Sequence, residues 1–134
     1  MTGRFAYLGL SLCLLAAPAA ALPHAPADLV RLFSICAGRY SALAEHEALF
    51  DGAASDRAGA RRDLFVDLVD TVLPDARAGG LSGQRALAWR ISAKHAQAVL
   101  LLRATFLRDP EAAARARRAA DHFFSECQSS VLGG

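Results

Sequence analysis

The sequence predicts an all-α protein: a four-helix antiparallel bundle that follows a cleavable secretory leader, with the first and last helices joined by a disulfide. Three observations lead there. Apolar residues recur at spacings of three, four and seven over several long stretches, and no stretch alternates with the period of two that a strand requires. The N-terminus has the build of an export signal. Once that signal is removed, two cysteines remain, one early in the chain and one near its end.

In the leader, Arg4 precedes an apolar run from Phe5 to Ala17, and Ala19-Ala20-Ala21 then offers the small side chains that signal peptidase accepts, so cleavage is expected after Ala21. The run is shorter than the roughly 20 residues of a spanning helix, so no stable membrane span is expected after cleavage. Cys13 follows Leu12, whereas lipidation would need a small residue before the cysteine. Residues 22–134 then form one domain by size, placed in the periplasm or secreted.

The first helix is expected from Ala27 to Phe50, with Leu29, Phe33, Cys36, Tyr40, Leu43 and Phe50 on its apolar stripe and Asp51-Gly52 ending it. Ser55 or Asp56 is placed as the cap of a second helix, whose stripe is Phe65, Leu68, Val69 and Val72 and which Pro74 should stop. Residues 74–83, rich in Gly, read as the longest loop between helices. The third helix is expected from Gln84 to Leu107, with Leu87, Ile91, Ala98, Leu102 and Phe106 on the core side and Trp89 on the flank. Asp109 caps a fourth helix, Pro110 fits its first turn and Glu111 suits its positive end. Its core residues are Ala113, Ala120, Phe123, Phe124, Cys127 and Val131, and Ser129 to Gly134 is expected to fray.

Cys36 and Cys127 are either a disulfide or two buried thiols. Export to an oxidising compartment favours the bridge, and an up-and-down bundle sets the end of its fourth helix beside the start of its first. Closing so long a loop stabilises a fold by roughly 4 kcal/mol on the chain-entropy model.

Charge and motifs exclude several function classes. The whole chain carries +2, and removal of Arg4 leaves it nearly neutral, so it lacks the concentrated basic face that nucleic acid demands. It contains no C-x-x-C, no H-E-x-x-H, no E-x-x-H of a di-iron bundle and no phosphate-cradling Gly-rich loop. Gly80-Leu81-Ser82-Gly83 does not satisfy G-x-S-x-G. No cofactor and no enzymatic activity are therefore expected.

A few polar residues stand where apolar ones are expected. Glu47 falls on the Tyr40, Leu43, Phe50 stripe, with His46 beside it, and a carboxylate there needs a partner. Lys94 and His95 lie between Ile91 and Ala98 on the third helix. A Glu47 cluster with Lys94 or His95 would be a ligand site, a proton-handling pair or an internal ion pair. Against it stands an offset on the order of 13 Å if the two helices run parallel; otherwise each group reaches the surface or a nearby arginine. Arg39, three residues from Cys36 and seven from His46, shares that helix edge and reads first as a structural donor beside the disulfide. Asp63, Asp67 and Asp70 form an acidic row that reads as solvated, and His122 with Glu126 is one turn of helix, too few ligands for zinc.

Cys36-Ala37-Gly38-Arg39-Tyr40-Ser41-Ala42, the following Glu45-His46, and Ala93-Lys94-His95-Ala96-Gln97-Ala98 together resemble small exported helical proteins of alphaproteobacteria with a C-A-G-R-x-S-A motif. The resemblance covers most of the mature chain and implies a cysteine pair and a helical fold, without an activity. The expected function is non-enzymatic: binding or scaffolding another envelope protein. The alternative is a small-ligand or metal carrier using Arg39, His46, Glu47, Lys94 and His95.

Overall fold

The computed structural model describes residues 25–132. The leader and its cleavage point lie outside the described residues. Within them are four helices, α1 (Pro26–Glu47), α2 (Gly52–Ala78), α3 (Gly83–Phe106) and α4 (Pro110–Leu132), and no strand.

Local chemistry accounts for each boundary. Pro26 starts α1 at a position where a missing N–H costs nothing, and Asp28 sits in the positively polarised first turn. The first expected correction is at the end of α1. Gly52 does not close that helix; α1 stops at Glu47, Asp51 swings to an extended backbone, and its carboxylate accepts a hydrogen bond from Ala54 N at 3.1 Å. Asp51, rather than Ser55 or Asp56, is thus the cap of α2. Ser55 is instead inside that helix, donating to Ala44 O of α1 at 2.8 Å.

Pro74 does not stop α2 either. It removes one helical donor, but the helix runs on to Ala78 and ends in a Schellman turn. Gly80 takes φ 98°, Gly80 N donates to Arg77 O, and Leu81 N donates to Ala76 O. The expected long loop shrinks to residues 79–82, and Ser82 caps α3 by accepting from Arg85 N at 3.2 Å. Asp109 accepts from Glu111 N at 3.0 Å at the start of α4, as its sequence position suggested. Ser129 to Leu132 continue α4 instead of fraying.

α1 is the central element: ten of its residues are buried, against three each in α2 and α3. On one side Phe33, Cys36, Ala37 and Tyr40 of α1 pack with Phe65 of α2, with Leu68, Val69 and Val72 closing around them. A second cluster joins Val30 of α1, Ala76 of α2 and Ala86 of α3, with Leu81 and Trp89 at its edge. α3 lies against α1 through small residues. A Cβ on Gly38 would collide with Arg90 O and crowd Lys94 N, so glycine is what lets the two backbones approach.

That close crossing overturns the expected face of α3. The side chains it buries are Ala86, Gln97 and Ala104. Leu87, Ile91, Leu102 and Phe106, expected in the core, are 55, 59, 48 and 59 % exposed. Trp89, expected on the flank, is half-buried against the second cluster. Phe50, expected at the end of the α1 stripe, lies beyond that helix and is also exposed.

The Cys36–Cys127 disulfide ties α4 to α1 with 5.6 Å between the Cα atoms. α4 also meets α3 closely: Gln97 Nε2 donates to Ala120 O at 3.3 Å, and Arg117 Nη2 donates to Ala104 O at 3.3 Å.

Candidate functional site

The five polar residues singled out in the sequence do not form one cluster. Arg39 rises from α1 next to the disulfide. Its Nη1 lies 3.0 Å from Phe123 O, 3.0 Å from Glu126 Oε2 and 3.6 Å from Cys127 Sγ, and the guanidinium stands 4.4 Å from the Phe123 ring centre. Only 14 % of the side chain remains exposed. Arg39 is thus a positioning group for α4. Glu126 also receives His122, whose Nε2 is 3.4 Å from Oε1.

His46 is at the far end of α1. Its Nε2 is 3.0 Å from Thr105 Oγ1, and its ring sits 5.4 Å from Phe50 and 6.5 Å from Phe106. Phe50 and Phe106 are themselves 6.2 Å apart. Three aromatic rings therefore fasten the last turns of α1 and α3 together while presenting much of their surface to solvent.

Glu47, Lys94 and His95 do not converge. Lys94 donates to Glu45 Oε1 at 2.5 Å, on the α3 side of α1. Glu47 instead lines a shallow cleft with Arg57 and Arg61 of α2. His95 is exposed, and no hydrogen bond or ion pair among the described residues joins it to Glu47. The reason is helical phase: Glu45 and Glu47 are two residues apart, so their side chains leave α1 in nearly opposite directions. Among the described residues no three His, Cys, Asp or Glu side chains gather as a metal ion would need. In the acidic row of α2, Asp63 is bonded to Arg62 Nε at 2.8 Å, and that bond holds its carboxyl below the ordinary value.

The largest feature that sequence reasoning misplaced is the bare side of α3. Leu87, Ile91, Ala98, Leu102 and Phe106 follow one another at spacings of four, seven, four and four, which is one continuous face of a helix, with His95 in its middle. Leu49, in the turn after α1, extends the band, sharing a small cavity with Ala98 and Leu102, and Phe50 extends it through Phe106. At 100° per residue, Arg85 and Arg103 run along one flank of the band and Arg90 and Lys94 along the other. α3 carries no acidic side chain. The result is an apolar strip with arginines along both edges; on one of them Glu45 of α1 pairs with Lys94 and lines the same cavity as Leu49.

In comparisons with known proteins, no family model, no curated protein and no solved structure matches the chain.

Proposed function

We propose that this is a non-enzymatic, extracytoplasmic interaction protein that receives an amphipathic helix of another envelope protein on the apolar strip of α3. In this reading the leader is removed after Ala21, and the mature chain is an up-and-down antiparallel bundle in the periplasm or beyond it. Support for the arrangement comes from Ala44–Ser55 and Tyr40–Phe65 between α1 and α2 and from Gln97–Ala120 and Ala104–Arg117 between α3 and α4, in which residue numbers fall along one helix as they rise along the other. Support for the compartment comes from the disulfide. Among the described residues no helix is long and apolar enough to cross a membrane.

The observation that carries the functional reading is that a stripe with core spacing lies bare along α3. Contiguous exposed apolar surface of this kind marks interaction sites, and a seam repeating every three to four residues suits a helix better than an extended peptide. Charge selects the partner. A second copy laid along the same strip would set Arg85, Arg90 and Arg103 against their own counterparts, whereas a helix with glutamate or aspartate edges would pair with them.

The test is a labelled helical peptide with a leucine stripe and glutamate edges, titrated into the full mature protein and followed by fluorescence anisotropy. Saturable binding is expected, weakened by salt and lost in Leu102→Asp, whose melting temperature stays near that of the parent. Equal binding of a peptide with lysine edges, or binding that survives Leu102→Asp, would overturn the reading. So would a native mass that doubles with concentration and returns to the monomer in Leu102→Asp, because the strip would then serve self-association.

A further inference from the structure

A second recess lies on a different side of α3, where it leans over the first half of α1 toward α4. It has a volume of about 280 Å³, at the small end of ligand sites, and is walled by Ile35, Trp89 and Phe123 with Arg31 and Arg39 at its two ends. No acidic side chain lines it. Arg31 and Arg39 are eight residues apart, so about 12 Å separates their positions along α1. The two cations are not equivalent. Arg39 is neutralised by Glu126 at 3.0 Å, while Arg31 makes no ion pair among the described residues and holds its guanidinium 5.9 Å from the Trp89 ring centre. Gln97 is 1 % exposed and also lines the recess. Its Nε2 is committed to Ala120 O, whereas its Oε1 accepts no hydrogen bond among the described residues. Among the described residues no fully buried side-chain polar atom lacks a partner, so that oxygen keeps some contact with the surface, in a residue that lines the recess.

We propose that this recess binds a small carboxylate with an apolar, ring-sized body. The carboxylate meets Arg31, the body lies on Ile35 between Trp89 and Phe123, and Gln97 Oε1 accepts from any hydroxyl or ammonium the ligand carries. A guanidinium fork matches a carboxylate in shape and charge, and aromatic walls exclude water from the apolar part.

Trp89 is the only tryptophan, so its emission reports on this recess alone. The full mature protein is titrated with 3-phenylpropionate, cyclohexanecarboxylate and the uncharged 3-phenylpropanamide. Saturable change is expected for the two acids, with affinity at least about tenfold lower for the amide and for the acids on Arg31→Gln. Arg31 is exposed, so that variant should fold, with an unchanged melting temperature as the control. Acid and amide acting alike, Arg31→Gln behaving as the parent, or no saturable change up to millimolar acid would each overturn the proposal. Peptide binding at the opposite strip should be the same in Arg31→Gln and the parent, so failure at one site leaves the other standing.

Discussion

α1 meets α2 and α4 in two different ways. Its seam with α2 is built from large side chains: the Phe65 ring lies 6.3 Å from Phe33 and 5.7 Å from Tyr40, and Leu68, Val69 and Val72 prolong the contact. Its seam with α4 is a set of points: one disulfide, the contacts of Arg39, and the Tyr40–Phe124 pair at 5.3 Å. Burial of large apolar side chains stabilises in proportion to area and is spread along the helix. A disulfide acts mainly by restricting the unfolded chain, and it acts at one place. The first seam should therefore govern whether the protein folds, and the second how firmly α4, which also leans on α3, is held to α1.

The largest effect is expected at the α1–α2 seam. Phe65→Ala should cost about 3–5 kcal/mol in urea denaturation, because the ring is buried and its neighbours close only partly over the space. A cost below about 1 kcal/mol would mean that the aromatic seam is not what holds the fold. Cys127→Ser should lower stability by up to about 4 kcal/mol under oxidising conditions and leave no difference from the parent in reductant. Hydrogen exchange sharpens the contrast: amides of α4 should lose protection in Cys127→Ser while those of α1 and α2 keep theirs. Uniform loss across all four helices would erase the distinction between the seams.

The smallest effect concerns acid. Arg62 holds the Asp63 carboxyl below the ordinary carboxylate value, so the pair stabilises at neutral pH and its contribution disappears as pH falls through the lowered value. Both groups face solvent, which screens the pair. Asp63→Asn should leave melting at pH 7 almost unchanged and flatten the acid limb slightly below about pH 4. A large change at pH 7 would show that the α2 surface contributes more than its exposure allows.

Four helices, the cap at Asp109 and the Cys36–Cys127 pair were legible in the sequence, because each rests on local spacing or simple counting. Pro74 was misread because a proline that forbids one hydrogen bond does not forbid the next turn when the following glycines can close the helix. The face of α3 was misread for a different reason. Periodicity reveals that a helix has an apolar side, but not whether a neighbour is there to cover it. α3 meets its neighbours through Ala86, Gln97 and Ala104, residues that hydropathy ranks low. A signal was present: Gly38 with Ser34, Ala37, Ser41 and Ala42 at helical spacing on α1 announces a close helix crossing, which needs small partners opposite. The Arg31–Trp89–Phe123 recess was missed because its walls come from three helices. Only the repetition of Arg31, Ile35 and Arg39 along one ridge of α1 hinted at it.

The disulfide also changes what it means for this chain to be cut. Because it closes a span of 91 residues from early α1 to late α4, all three inter-helix turns lie inside one covalent ring. A protease that severs the exposed turn at residues 79–82 therefore releases nothing. The severed molecule keeps its mass apart from one added water, and its two pieces separate only when a reductant opens the bridge. In a compartment shared with proteases, the bond gives the protein tolerance of a single nick as well as resistance to unfolding.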